Sequence, residues 1–367
     1  MPAKLHRNLP TVAAICLFSI SAALPAVGET AAKLVTAGPP IWATASIQNE
    51  PLLFIQEHGQ ATAKLLLTPS VGFRITHPDL MMSYNPDKDY IWKPGTNVVT
   101  LTVSSRIPFK TQAQMSPPKG SPNMFGEVLH SEGHFFHDLQ VQASYMTEEK
   151  WAGPVPAAET EKLKNTIAKL KAKQPVSLVA LGDSITAGLN ASGHKDVNAS
   201  PYQPPYPQLV GNTLQERSGS QVSVVNLGQS GSVSSAGLSL LGKVGQAKPD
   251  VVLIAYGMNH GEGGEEHQKK MRELLDAVRR GNPTADVVLV ASMCGNPKMF
   301  PRARFESYRD ALRKLEGPGV AVADVTSVWA ELMKKKQFCD LSGNNVNHPN
   351  DFSHRVYAQV IVQLFGL

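Results

Sequence analysis

Val176-Ser177-Leu178-Val179-Ala180-Leu181-Gly182-Asp183-Ser184-Ile185-Thr186 decides how the remainder of this 367-residue chain reads. Val176–Leu181 is a continuous apolar run, rich in Val and Leu, that stops at a glycine. Such a run suits a short strand covered on both faces, as in a parallel sheet. A sharp turn through Gly182-Asp183 then lifts Ser184 onto the C-terminal edge of that sheet, where open α/β folds place their ligands. A serine there is a candidate nucleophile, provided a base reaches it and oxyanion donors surround it. The same three residues also suit an ordinary turn, so the rest of the chain must decide.

Downstream, strand and helix patterns alternate. Strands are expected at Val222–Leu227, Val251–Tyr256, Val287–Ala291 and Val320–Asp324. Helices are expected at Tyr206–Arg217, Glu265–Arg280, Arg302–Leu315, Ser327–Lys336 and Ser353–Phe365. This predicts an α/β fold with a parallel sheet between helices over 176–367. Upstream, 33–150 reads as β-rich. Short runs at Ile41–Ile47, Ala63–Leu67, Gly72–Thr76, Asn97–Val103 and Leu139–Tyr145 are separated by Pro/Gly turns. That pattern predicts a smaller sandwich or jelly roll. Trp151–Pro156 reads as a linker, and a helix over Ala157–Lys173 completes the connecting segment 151–175.

Residues 1–28 carry Lys4, His6 and Arg7, then the apolar run Val12–Ala23, then small residues ending at Gly28. This order predicts a secretory signal peptide and a secreted or periplasmic protein. The run is too short for a good membrane span, and no later stretch is long and apolar enough. The net charge is +5 with no dense Lys/Arg block, so nucleic acid is not an expected partner. Beyond the signal, Cys294 and Cys339 remain, an even number that permits one disulfide in an exported protein.

Three further stretches fall at expected strand or helix ends. They are Asn226–Gly231, Gly257-Met258-Asn259 and Asp351-Phe352-Ser353-His354. A serine hydroxyl needs a base, and His354 can serve. Asp351 lies three residues earlier, so on a helical turn its carboxylate can meet the imidazole. Asp351 also suits a helix N-cap. The N–H groups of Ser184 and Gly231 and the amide of Asn259 are candidate oxyanion donors. The loop Leu189–Pro205 carries Tyr202 and leads to Tyr206. Both rings are candidate substrate contacts, by stacking on a sugar, or else they pack the loop down. His130, His134 and His137 cluster with Glu132 and Asp138. Exposed histidines on a loop explain that cluster better than a metal site, because spacing alone fixes no ligand geometry.

Gly182-Asp183-Ser184, Gly231, Asn259 and Asp351-x-x-His354, in that order, resemble the four blocks of the SGNH, or GDSL-type, hydrolases. The resemblance covers Val176 to Leu367. It implies a flavodoxin-like sheet, no metal or other cofactor, and ester hydrolysis through an acyl-serine. It assigns Ser184 as nucleophile, His354 as base, Asp351 as orienting acid, and Ser184, Gly231 and Asn259 as oxyanion donors. Gly228 is the alternative to Gly231, although spacing to the next helix favours the latter. His260 departs from the family, which often has Asp there, and is expected to affect surrounding contacts or specificity. A β-sandwich ahead of such a domain resembles two-domain carbohydrate acetyl esterases. That implies an acylated carbohydrate or other small ester as substrate, with a lipolytic esterase, a thioesterase or a non-catalytic carbohydrate-binding protein as alternatives.

Overall fold

The computed structural model describes residues 34–367; the signal peptide expected over 1–28 lies outside them. Five parallel strands, Val176–Gly182, Val222–Asn226, Val251–Ala255, Asp286–Ala291 and Val320–Asp324, form one sheet. In sequence order they stand second, first, third, fourth, fifth across it. Leu178 pairs with Val224 on one side and Val251 on the other. This is the flavodoxin-like order, whose switch point lies beside the first strand. The apolar runs are buried on both faces: Leu178–Leu181, Val251–Ile254 and Val287–Val290 are all at 0% exposure.

Helices Tyr206–Ser218, Gly264–Gly281, Arg302–Arg313, Val325–Lys335 and Asp351–Gln363 flank the sheet. Each starts within two residues of its expected position. The connecting helix is shorter than expected, Lys164–Lys171.

The β-rich segment is built from two main sheets. Ser46–Leu52, Val141–Met146 and Val71–Thr76 form a three-stranded antiparallel sheet. Tyr90–Trp92, Val98–Leu101, Gln60–Lys64, Phe54–Glu57 and Phe109–Thr111 form a five-stranded one, in which the last pairing is parallel. The strand expected from Ile41 begins only at Ser46. Pro39 and Pro40 remove two ladder donors, and a turn closes from Ala43 N–H to Pro40 O.

One continuous apolar core joins this segment to the parallel sheet. It runs from Leu52, Phe54 and Ile75 to Leu178, Val290 and Trp329. The disulfide that the even cysteine count permits is not formed: Cys294 and Cys339 are buried free thiols. They belong to separate apolar clusters, Cys294 in the main core and Cys339 beneath Leu53 and Phe136. Burial pushes the Cys294 thiol up to about 12 and that of Cys339 well above its ordinary value. Both behave as small apolar side chains.

Candidate active site

The first strand ends at Gly182. A Cβ there would lie 2.0 Å from Thr186 Oγ1 and 2.7 Å from Ala255 O, so only glycine permits the turn. Asp183 caps the short helix Ser184–Ala187 by accepting from Ile185 N–H at 3.0 Å. Desolvation raises the Asp183 carboxyl to about 6, against opposing pulls from the Ile185 N–H and from His348. Ser184 is the first helical residue, so its N–H has no intrahelical partner.

The side chain that meets Ser184 is His348, with Nε2 2.9 Å from Oγ. His354 does not reach it. The final helix begins at Asp351, capped by Asn350, whose side chain accepts from Ser353 N–H. His354 therefore falls inside the helix at 0% exposure. Its Nδ1 accepts from Tyr206 N–H at 3.3 Å and its Nε2–H points to Leu189 O at 3.4 Å. Burial drives its pKa down to about 3, so the ring is a neutral packing group. Asp351 is likewise committed elsewhere: its Oδ1 accepts from Ser192 N–H at 2.8 Å, holding the loop after Ser184.

His348 stands on a rigid loop ahead of the helix. Asn344 Oδ1 accepts from the N–H groups of Val346, Asn347 and His348 at 2.9, 3.0 and 3.0 Å. Ser342 Oγ donates to His348 O at 2.8 Å. On the other ring face, Nδ1 lies 2.8 Å from Asn190 Oδ1, 3.0 Å from Asn344 Nδ2 and 3.3 Å from Glu132 Oε2. Glu132 comes from the β-rich segment, 216 residues away in sequence. The histidines around it do not converge on one point. His130 pairs with Glu132, His134 with Asp138, and His137 with Ser200 O.

Ser184, His348, Glu132, Gly231 and Asn259 line one open cavity of about 550 Å³. Gly231 has φ +71°, which a side chain rarely adopts, and presents bare backbone to the cavity. Asn259 spends one amide hydrogen on Ser232 O at 3.0 Å, which leaves the other for a ligand. Gly228 has a different task. A Cβ there would sit 2.3 Å from Ala187 N and 2.7 Å from Thr186 C, against the helix that carries Ser184. Gly228→Ala is expected to displace that helix and lower both the melting temperature and kcat. Parallel thermal and kinetic measurements check it.

His260 also touches the cavity, but its nitrogens are engaged behind it. Nε2 accepts from Ser234 N–H at 3.0 Å, so Nδ1 carries the proton and lies 2.8 Å from His267 Nδ1. The pair therefore steadies the loop that presents Gly231. Atoms of His260, Glu262 and His267 lie within 4.8 Å of one another. The donor pattern does not suit an ion, because the His260 Nδ1 lone pair is protonated. Lys270 Nζ also stands 3.2 Å from Glu262.

Of the two tyrosines, Tyr206 is buried at 0% exposure, bonded to Thr186 Oγ1 and stacked on Tyr357. It packs the core and offers nothing to a substrate. Tyr202 is exposed and lies outside the cavity lining. Sequence reasoning missed His348, Asn190 and Glu132. The usable signal for the first was a histidine immediately before Pro349, outside the helix it precedes.

Residues 180–356 match the model of the GDSL-like Lipase/Acylhydrolase family. No curated protein matches the chain. Among solved structures it is similar to a two-domain esterase active on acetylated mannans, at 20% identity and TM-score 0.47. That match covers 59% of this chain and 53% of the other, so the chain spans about half of that esterase's length. It is also similar to an acetyl xylan esterase from Geobacillus stearothermophilus, at 22% identity and TM-score 0.42, covering 52% and 94%. A member of the lipolytic G-D-S-L family from Veillonella parvula DSM 2008 matches at 16% identity and TM-score 0.40, covering 52% and 98%. The match places a GDSL-like lipase/acylhydrolase domain over residues 180–356, a little under half of the chain.

Proposed function

We propose that this is an exported esterase that removes short acyl groups, acetyl foremost, from carbohydrate. The observation that carries the reading is the 2.9 Å contact between Ser184 Oγ and His348 Nε2, in a cavity shared with Gly231 and Asn259. Ser184 attacks the ester carbonyl while His348 takes its proton. The N–H groups of Ser184 and Gly231 and the free amide hydrogen of Asn259 receive the oxyanion. His348 then protonates the leaving sugar alkoxide. Water, deprotonated by His348, releases the acid from the acyl-serine.

The lining offers a sugar ester polar contacts: His130, Asn259, Arg304 and Asn347 share it with Phe125, Leu189, Met258, Phe300 and Val346. The acyl length it accepts is left to the acyl series below. Among the described residues, no helix is long and apolar enough to cross a membrane. The order of charged, apolar and small residues over 1–28 supports export.

Wild type is expected to hydrolyse p-nitrophenyl acetate, and Ser184→Ala to lose activity by about a thousandfold or more. Acetate release from acetylated mannan and xylan, beside a series of acyl lengths, tests the substrate. Strong preference for butyrate or longer esters would overturn the deacetylase reading.

A further inference from the structure

The Nδ1 side of His348 is built unlike the Asp-x-x-His pair that the sequence suggested. We propose that the base is oriented by two separate residues. Asn190 fixes the ring, and Glu132, delivered by the β-rich segment, supplies the negative charge. The inference rests on His348 being the base, as argued above.

The hydrogen positions follow from the partners. Nε2 must accept the Ser184 hydroxyl proton, so Nδ1 carries the ring proton and needs an acceptor. Asn190 Nδ2 donates to Gly133 O at 3.2 Å and to Gly343 O at 3.1 Å. Those two carbonyls fix the amide orientation, so the atom 2.8 Å from Nδ1 is the acceptor Oδ1. Asn190 holds this pose with φ +63°, a left-handed conformation that asparagine tolerates. Gly343 makes room for it: a Cβ there would lie 2.4 Å from Asn190 Cβ.

Asn344 Nδ2 has two hydrogens, and Glu132 Oε1 at 3.0 Å and Asn347 Oδ1 at 3.1 Å take both. It leaves Nδ1–H free to point between Asn190 and Glu132. Asn190 is neutral. It fixes the tautomer but does little for the imidazolium that forms when Ser184 gives up its proton. Glu132 Oε2, 3.3 Å from Nδ1, is the nearest carboxylate to that charge. His130 Nε2, 3.2 Å from Oε1, secures it from behind. Desolvation works against the ionised form. Hydrogen bonds from His130, His348 and Asn344 outweigh it and hold the carboxyl well below the usual range.

Among the described residues, no carboxylate of the α/β segment lies within ion-pair distance of Nδ1; Asp183 feels His348 only at longer range. Asn345, three positions before His348, carries an amide that donates to Leu129 O at 2.9 Å. Asp351 is held by Ser192. The β-rich segment therefore supplies both Glu132 and the Gly133 carbonyl that aims Asn190. It completes the catalytic apparatus as well as covering the core.

The test is steady-state kinetics on p-nitrophenyl acetate for Glu132→Ala, Glu132→Gln, Asn190→Ala and His348→Ala, each checked for folding by thermal melt. Glu132→Ala and Glu132→Gln are expected to lower kcat by about a hundredfold, with KM unchanged. Formate should restore part of the rate to Glu132→Ala by entering the space left by the carboxylate. Asn190→Ala should lower kcat without any response to formate. Wild-type kcat in either Glu132 variant, or a loss in Glu132→Ala that formate does not relieve, would overturn the role of the charge while leaving His348 as base. Activity retained in His348→Ala would instead overturn the parent reading. If Glu132→Ala fails to fold, the isosteric Glu132→Gln decides by its kcat alone.

Discussion

His348→Ala is expected to lower kcat by about ten-thousandfold, while His354→Gln leaves turnover near wild type and changes stability instead. The two residues stand six positions apart and carry the same side chain, but their surroundings separate them. His348 is fixed 2.9 Å from the Ser184 hydroxyl at the mouth of an open cavity. His354 is enclosed, with each nitrogen satisfied by a backbone group. Its effect is on pH dependence. The folded protein keeps His354 neutral down to about 3, whereas an unfolded chain protonates histidine near its ordinary value of about 6.5. Between those values the unfolded state binds more protons, so stability falls as pH falls. At about pH 5 the difference amounts to about 2 kcal/mol from His354 alone. His267, lowered to about 3 by burial with a contribution from His260, adds a loss of the same sign. His354→Gln should therefore flatten, without abolishing, the decline in stability between about pH 7 and about pH 5. Denaturant midpoints across that range check it. An unchanged slope, or esterase activity lost with His354 and kept without His348, would reverse the assignment.

This contrast also marks where the sequence stops being legible. That Ser184, Gly231 and Asn259 would line one cavity was readable because each follows an apolar strand by a few residues, and a parallel sheet brings such ends to one edge. The proposed base was harder. Asp351 and His354 carry the spacing of a helical pair, and they do sit one turn apart. The helix, however, starts at Asp351 and buries its fourth residue, so that periodicity describes a core face. The loop residue His348 has no periodicity to announce it. Glu132 and Asn190 were harder still. Their meeting with His348 depends on how a distant β segment and a loop lie against the final turn, and no local pattern encodes that. The cysteines failed for a similar reason: an even count permits a bridge, but separate core clusters keep the thiols apart.

Lys336→Met is expected to destabilise the protein by about 3–5 kcal/mol, because it strands a buried charge. Lys336 ends the Val325–Lys335 helix as its C-cap and is only 4% exposed. Its Nζ donates to Glu50 Oε1 at 2.7 Å, Pro51 O at 3.0 Å and Lys64 O at 2.6 Å, reaching two strands of the β-rich segment. Glu50 is at 0% exposure, and it also accepts from Leu66 N–H and the Tyr145 hydroxyl. Methionine fills the space of the lysine stem but leaves that carboxylate without its cation. The double variant Lys336→Met with Glu50→Gln removes that pair, leaving buried Asp340, 3.7 Å from Lys336 Nζ in the wild type, as the remaining carboxylate, and should recover part of the loss. A neutral pair of similar volume often matches a buried ion pair in stability. Urea midpoints for the single and double variants give the comparison, and equal midpoints for Lys336→Met and wild type would show that the pair does not hold the two segments together. The consequence extends to catalysis. The segment anchored by Lys336 is the one that delivers Glu132 to His348. Loosening the seam should therefore depress kcat at temperatures below the melting transition, and Glu50→Gln in the same chain should return activity and stability together.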